Sequence, residues 1–342
     1  MFVLQAAVVK GRGGIATAVA HYERMFRAVG VRSAIVFRGP SAESLAAEGA
    51  HLIQAPPLLT SPLGGFAAPM LGGLRRAVVG AGGGEPDIII VHSDLALGAL
   101  KTLFPNAALV TPCHSDKTKR KRAADLVVTL NQAQSALAKA QLPGVRVAQL
   151  GNPYVNAFKR TQTPDGPPRL NFVARFIPTK DPLTLARAAA LIQTKTEVRF
   201  IGAGPLEDEL RAAAAPLGER ARFPGWLSEP FADFHRNDVL VLPSAWEGLP
   251  YLLQEALDHG APIVASDIPG NRAALGDGAY GTLFPYGDAA ALAQALDAAL
   301  ADLDALRAKA EKGRAALRAR YGAEAFWAAL KAELDQLGGR NA

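Results

Sequence analysis

A single cysteine, Cys113, stands in 342 residues. That excludes an intramolecular disulfide and any zinc site built from clustered cysteines, and it suits a reducing compartment. No uninterrupted apolar run approaches the roughly 18 residues that a spanning helix needs, so no membrane span is expected. Met1-Phe2-Val3-Leu4 opens straight into an apolar run, without a basic segment and cleavage site, so no signal peptide is expected. Long polar tracts are missing too, and 49% hydrophobic with 20% charged residues is the make-up of an ordinary folded chain. The formal charge of +6 favours an anionic partner. Cations interleaved with aromatics are absent, so nucleic acid is not expected to be that partner.

The length exceeds what one hydrophobic core usually serves, so two domains of roughly 150 to 180 residues are expected. Short β-rich runs alternate with amphipathic helical stretches, the pattern of parallel α/β sheets covered on both faces. In the first half the strand candidates are Phe2–Val8, Ser33–Phe37, Asp87–Val91, Ala108–Thr111, Leu126–Thr129 and Arg146–Leu150. In the second half they are Leu170–Val173, Val198–Ile201, Ala221–Phe223, Val239–Leu242, Ile263–Ala265 and Gly281–Phe284. The polar, Pro- and Gly-rich stretch Tyr154–Arg169 reads as a linker. Domains of 1–153 and 154–322 follow, with a C-terminal helix of about 323–342 expected to pack back on the first. Leu71–Val79 has helical spacing within a Gly- and Ala-rich stretch.

The strongest signal is the strand Val239–Leu242, a loop through Trp246-Glu247-Gly248-Leu249-Pro250, and an apolar helix ending near His259-Gly260. Pro250 suits a first helical turn and Gly260 the left-handed position after a helix, so the helix is expected to start just after Glu247. The amides of Gly248 to Tyr251 would then form an anion site at the carboxyl edge of a parallel sheet. Glu247 and Glu255 would flank it and accept hydrogen bonds from hydroxyls. A second loop, Ala174 to Pro182, carries Arg175 and Lys180, a donor fork and a point charge that together match a diphosphate.

The run Glu247-Gly248-Leu249-Pro250 with Glu255-Ala256, followed by Gly260-Ala261-Pro262-Ile263-Val264-Ala265-Ser266-Asp267, resembles family 4 glycosyltransferases. That resemblance implies the α/β GT-B fold, two Rossmann-like domains with parallel sheets facing a central cleft. The first would bind the acceptor and the second the nucleotide sugar. It further implies that Glu247 binds the donor sugar, the loop Gly248, Leu249, Pro250 and Tyr251 the phosphates through its amides, Pro250 having none to give, and Glu255 the ribose hydroxyls. Arg175 and Lys180 would stabilise the departing diphosphate. The chain departs from the family in having Lys180-Asp181 where Lys-Gly is frequent.

Further loops fit the same resemblance. Gly202 and Gly204 end one strand, and Gly225-Trp226-Leu227 another; both would border the nucleotide base. Gly13 and Gly14, within Lys10–Ile15, match the family's N-terminal Gly-Gly loop. His114 would contact the donor sugar, and His92 is a weaker case of the same kind. A Gly-x-Gly turn alone would serve equally as a tight connection. In Lys117-Thr118-Lys119-Arg120-Lys121-Arg122, five of six residues are basic. The run reads either as a solvated surface or as a contact for an anionic acceptor or membrane. Asp302-Leu303-Asp304 lies beside terminal helices and is rejected as a metal site, and Glu207-Asp208-Glu209 reads as an acidic first helical turn.

A glycosyltransferase is therefore expected, retaining by resemblance, moving a hexose from a nucleoside diphosphate donor, UDP-, GDP- or ADP-linked, to a saccharide or lipid-linked acceptor. Cell-envelope polysaccharide, lipopolysaccharide or glycolipid synthesis is the setting the family suggests, in the cytoplasm or at the inner face of its membrane. Neither metal nor other cofactor is expected. A sugar phosphorylase, a nucleotide-sugar epimerase and a non-catalytic nucleotide-sugar binder remain alternatives.

Overall fold

A computed structural model describes residues 1–9, 13–61, 69–156 and 165–338. Two compact units are present: residues 1–155 with 319–342, and residues 156–318.

The first unit is built on β1 (Phe2–Val8), β2 (Arg32–Arg38), β3 (Leu52–Gln54), β4 (Ile88–Val91), β5 (Ala108–Pro112), β6 (Leu126–Thr129) and β7 (Arg146–Gln149). All pair in parallel, in the order β3-β2-β1-β4-β5-β6-β7. Ile88-Ile89-Ile90-Val91 is buried throughout, as a strand with both faces covered must be. The strand order reverses between β1 and β4. At the carboxyl ends of such a pair the following loops diverge and leave a crevice, where open α/β sheets bind ligands.

The helix Ala323–Gly338 belongs to this unit. Phe326 meets Tyr22 edge-on at 5.7 Å and Trp327 meets Phe26 edge-on at 5.7 Å, both from the helix Gly14–Ala28. Such pairs contribute about 0.5–1.5 kcal/mol each beyond the area they bury. Arg146 Nε donates to Glu333 Oε2 at 2.5 Å, and Tyr154 N to Tyr321 O at 2.7 Å.

His21, on the same N-terminal helix, stacks on Tyr154 at 5.0 Å, and its Nδ1 accepts the Val155 amide at 3.0 Å. Burial, with the neighbouring Arg24 charge second, pushes its pKa down to about 3. The unfolded chain takes up this proton near pH 6.5 and the folded one does not. The stabilisation is thus complete above about pH 6.5 and is lost as pH falls toward 3. Between pH 7 and pH 5 this residue alone should cost about 2 kcal/mol. Urea denaturation at the two pH values checks this. In His21→Asn, whose Oδ1 can still accept from Val155, the pH slope should flatten by that amount.

The second unit holds β8 (Arg169–Val173), β9 (Glu197–Ile201), β10 (Ala221–Gly225), β11 (Val239–Leu242), β12 (Ile263–Ser266) and β13 (Thr282–Phe284). They are parallel in the order β10-β9-β8-β11-β12-β13. Its core sets Phe172, Phe200, Val241 and Val264 of the sheet against Leu185, Leu292 and Leu296 of the covering helices. Here the order reverses between β8 and β11.

The strands follow the sequence expectation within a residue or two at their ends, except β3, which was not expected. Leu52-Ile53-Gln54 is short, lies at the sheet edge and is nowhere fully buried, so it lacks the apolar run that marks the others. Of the expected linker, residues 157–164 lie outside the described residues.

Candidate functional site

The two loops at the reversal point of the second sheet are those that carry the cations and the glutamate. Residues 174–181 follow β8 and residues 243–250 follow β11, and Ala245 N donates to Thr179 O at 3.0 Å, joining them. Lys180 Nζ donates to Glu247 Oε1 at 2.5 Å, and Ser244 Oγ donates to the same oxygen at 2.7 Å. Glu247 is only 8% exposed. Among the described residues nothing donates to its second oxygen, Oε2, which leaves that atom for a ligand's donor. Lys180 keeps two of its three ammonium hydrogens for other acceptors. Arg175 is exposed and makes no side-chain hydrogen bond or ion pair among the described residues.

Behind Glu247 runs a polar thread that sequence reading missed. Asn271 Nδ2 donates to Ser266 Oγ at 3.0 Å and to Ser266 O at 2.9 Å, and Ser266 Oγ donates to Ser244 O at 2.6 Å. Ser244, Ser266 and Asn271 are all fully buried. Gly270 supports the same residue sterically, since a Cβ there would lie 2.2 Å from Glu247 O. The readable signal was the set of short polar residues in otherwise apolar strand ends, at Pro243-Ser244 and Ala265-Ser266.

The helix Tyr251–His259 starts later than expected. Pro250 is extended (φ −70°, ψ 122°) and caps the helix, with its carbonyl accepting from Leu253 N at 3.1 Å and Gln254 N at 3.3 Å. Proline has no amide hydrogen and fits equally at the residue that closes the preceding loop, so it does not stand in the first turn. Gly248 and Leu249 consequently belong to the loop, whereas Tyr251 opens the helix and Glu255 lies half-buried in its second turn. Gly260 takes the expected left-handed conformation, φ 80°.

Asp181 explains the departure from Lys-Gly. It holds φ 47°, ψ 55°, a left-handed conformation that favours glycine, yet its carboxylate accepts Thr184 N at 3.3 Å and Thr184 Oγ1 at 2.7 Å. The backbone costs about 1–2 kcal/mol for a residue with a Cβ, and the cap returns about 1. Asp181→Gly should therefore change stability by less than about 1 kcal/mol, whereas Asp181→Ala, which keeps the strain and loses the cap, should cost about 1–2. Chemical denaturation of the two variants checks the contrast.

Gly202 and Gly204 owe their small size to packing. A Cβ on Gly202 (φ 145°) would lie 1.9 Å from Ala174 O, and one on Gly204 2.5 Å from Phe176 O. Phe176 N donates to Ala203 O at 3.0 Å and Gly202 N to Gly225 O at 2.8 Å, so three strand ends are laced together. Beyond Gly225, Leu227 is half-buried and Trp226 is 51% exposed.

In the first unit, Lys10, Gly11 and Arg12 of the Gly-Gly loop lie outside the described residues. Gly13 precedes the helix Gly14–Ala28, and its carbonyl accepts from Ala16 N at 3.0 Å and Thr17 N at 3.3 Å. His114 follows β5 and is half-buried; its Nε2 lies 3.0 Å from Nδ1 of His92, with the ring planes 18° apart and the centroids 5.3 Å apart. Burial, then the Lys121 charge, push its pKa down to about 3, so the ring is neutral at ordinary pH. The basic run is not uniformly a surface feature. Lys117, Lys119, Arg120 and Arg122 are exposed, but Lys121 is 2% exposed and pairs with Asp94. A buried ammonium needs such a carboxylate, and the partner is Asp94, 27 positions away, rather than the nearby Asp116 or Asp125. Asp302 caps the following helix by accepting Ala305 N at 3.0 Å. No helix among the described residues is long and apolar enough to cross a membrane.

Residues 167–302, which contain this whole loop assembly, match the family model described as "Glycosyl transferases group 1". A lipopolysaccharide core biosynthesis glycosyltransferase of Rhizobium meliloti is 29% identical over 169 residues, covering 49% of this chain and 49% of that protein. A phosphatidyl-myo-inositol mannosyltransferase of Mycobacterium leprae is 40% identical over 32% of this chain and 30% of its own. The chain thus matches half or less of the length of these two relatives. An alpha-D-kanosaminyltransferase of Streptomyces kanamyceticus is 28% identical over 75% of this chain and 70% of its own. Among solved structures, Anabaena HepE in complex with UDP and glucose superimposes with TM-score 0.76 at 17% identity, covering 98% of this chain and 100% of that one. The likeness is one of fold, the GT-B fold.

Proposed function

We propose that this chain, whose residues 167–302 match the group 1 glycosyltransferase family model, transfers a sugar from a nucleoside diphosphate sugar to an acceptor. The observation that carries the reading is the Lys180–Glu247 pair at the reversal point between β8 and β11. A cation with donors to spare stands beside a buried carboxylate whose outer oxygen is open, which suits a ligand that is anionic at one end and hydroxylated at the other.

In this reading Arg175 and Lys180 hold the diphosphate and stabilise the charge that grows as it leaves. Glu247 Oε2 accepts a hydroxyl of the donor sugar, and Glu255 the ribose hydroxyls. Exposed Trp226, beside Leu227, offers an aromatic face to the base. The first unit takes a saccharide or lipid-linked acceptor, and the exposed cations Lys117, Lys119, Arg120 and Arg122 favour an anionic one or an anionic membrane at the inner face of the cytoplasmic membrane. UDP-hexose is the donor we favour over GDP-mannose, since HepE was solved with UDP and glucose. Envelope polysaccharide, lipopolysaccharide or glycolipid synthesis is the setting, with retention of anomeric configuration and no metal.

Thermal shift against UDP, GDP and ADP sugars tests the donor. The correct one, at a hundredfold excess over its Kd, should stabilise the fold by about 2.7 kcal/mol. Proton NMR of the product then reads the anomer, and chelator should leave the rate unchanged. Isomerisation of the donor without acceptor would mark an epimerase, and binding without any donor cleavage a non-catalytic binder.

A further inference from the structure

Behind His114 lies a chain of buried polar side chains whose hydrogen bonds can run in one direction only. It begins at Glu23 on the helix Gly14–Ala28, which accepts from Ser33 Oγ at 2.9 and 3.0 Å and lies 3.8 Å from Arg27. As a carboxylate it has acceptors and no donor. Gln5, fully buried on β1, must therefore turn its amide nitrogen to Glu23, and Nε2 lies 3.1 Å from Glu23 Oε2. That leaves the carbonyl Oε1 toward His92, 3.1 Å from its Nε2. A carbonyl only accepts, so His92 carries its hydrogen on Nε2. Its Nδ1 is then a bare lone pair, and the contact with His114 at 3.0 Å requires the hydrogen on His114 Nε2. One proton per link satisfies every group, and the neutral ring of His114 is left with Nδ1 unprotonated. His92, Gln5 and Glu23 are each at least nine-tenths buried, and Tyr22 closes over His92 edge-on at 5.3 Å, so water does not scramble the order.

We propose that Gln5 and His92, oriented by the Glu23 carboxylate, are positioning residues that hold His114 as its Nε2–H tautomer, so that Nδ1 stands after β5 as a hydrogen-bond acceptor for a hydroxyl of a sugar bound to the first unit. The identity of the ligand rests on the glycosyltransferase reading; the tautomer does not. A ring fixed in this way accepts a hydroxyl hydrogen and offers none in return. A sugar bound there whose hydroxyl at that position is replaced by hydrogen or fluorine should be discriminated against.

The test is long-range proton–nitrogen correlation NMR on protein labelled with nitrogen-15 histidine, with His114 assigned from the His114→Gln spectrum. In the wild-type chain His114 Nδ1 should appear unprotonated and Nε2 protonated. In Glu23→Gln, which has the same shape but can donate as well as accept, the direction is no longer imposed. His114 should then become a mixture of tautomers while circular dichroism is unchanged. KM for the sugar bound to the first unit should rise on the order of tenfold with a smaller change in kcat, the loss of one well-formed hydrogen bond. Gln5→Met, which removes the amide link, serves the same purpose should Glu23→Gln fail to fold. A wild-type His114 protonated on Nδ1, or a tautomer unmoved when the chain is cut, overturns the proposal. The nitrogen pattern is read without substrate, so a chain that cleaves no nucleotide sugar would overturn the functional reading and leave the tautomer result standing.

Discussion

Lys180→Ala is expected to lower kcat/KM for the sugar donor by about 10²–10³, mostly in kcat. Two effects combine. The charge that meets the leaving diphosphate is lost, and removing one such preorganised donor typically costs about 3–4 kcal/mol of transition-state stabilisation. At the same time Glu247, 8% exposed, is left with Ser244 as its remaining hydrogen-bond partner on Oε1. That second effect is structural and can be separated. Glu247→Gln added to Lys180→Ala removes the uncompensated charge and should recover most of the lost stability, but none of the lost turnover. Lys180→Arg keeps the charge with a different shape, so it should retain donor affinity better than rate. Steady-state kinetics beside urea denaturation of the three variants decides the matter. A Lys180→Ala enzyme with wild-type kcat would mean that the diphosphate departs elsewhere.

Gly202→Ala is the second large effect, this time on stability. The added Cβ would stand 1.9 Å from Ala174 O, in a backbone conformation of φ 145° that side chains rarely adopt. Backbone cannot retreat as a side-chain tip can, because Ala174 N donates to Ile201 O at 3.1 Å and Phe176 N to Ala203 O at 3.0 Å. A loss on the order of 3–5 kcal/mol is expected, with the second unit unfolding first. Since Arg175 lies between those two anchored residues, donor binding should weaken even where the variant remains folded. A loss below about 1 kcal/mol would show that the loops are not held against each other as described.

The strands and their loops were legible because each is a local pattern: four consecutive β-branched residues in Ile88–Val91, or an apolar strand, a glycine turn and a helix around Glu247. What local pattern cannot supply is pairing across the chain. Lys180 and Glu247 read as two separate ligands for the donor, and only the fold shows them joined. Lys121 looks like its neighbours in a basic run until β4's following loop brings Asp94 against it. Gln5 and Glu23 carry no chemical motif at all. They matter through a register of parallel strands that sets β1 beside β4, Leu4 opposite Ile89 and Ala6 opposite Val91. Pro250 was misplaced for a different reason: proline is accepted both in a first helical turn and just before it, and the sequence alone does not separate the two.

The thread from Asn271 through Ser266 to Ser244 gives the site a built-in spectroscopic reporter. Its two serine hydroxyls are sealed from solvent, and hydroxyl protons in contact with water exchange too fast to be seen. Those of Ser244 and Ser266 should therefore give resolved resonances in the resting protein. Because the Ser244 hydroxyl donates to Glu247 Oε1, its shift on adding a ligand would report on that carboxylate directly, without a label on the substrate.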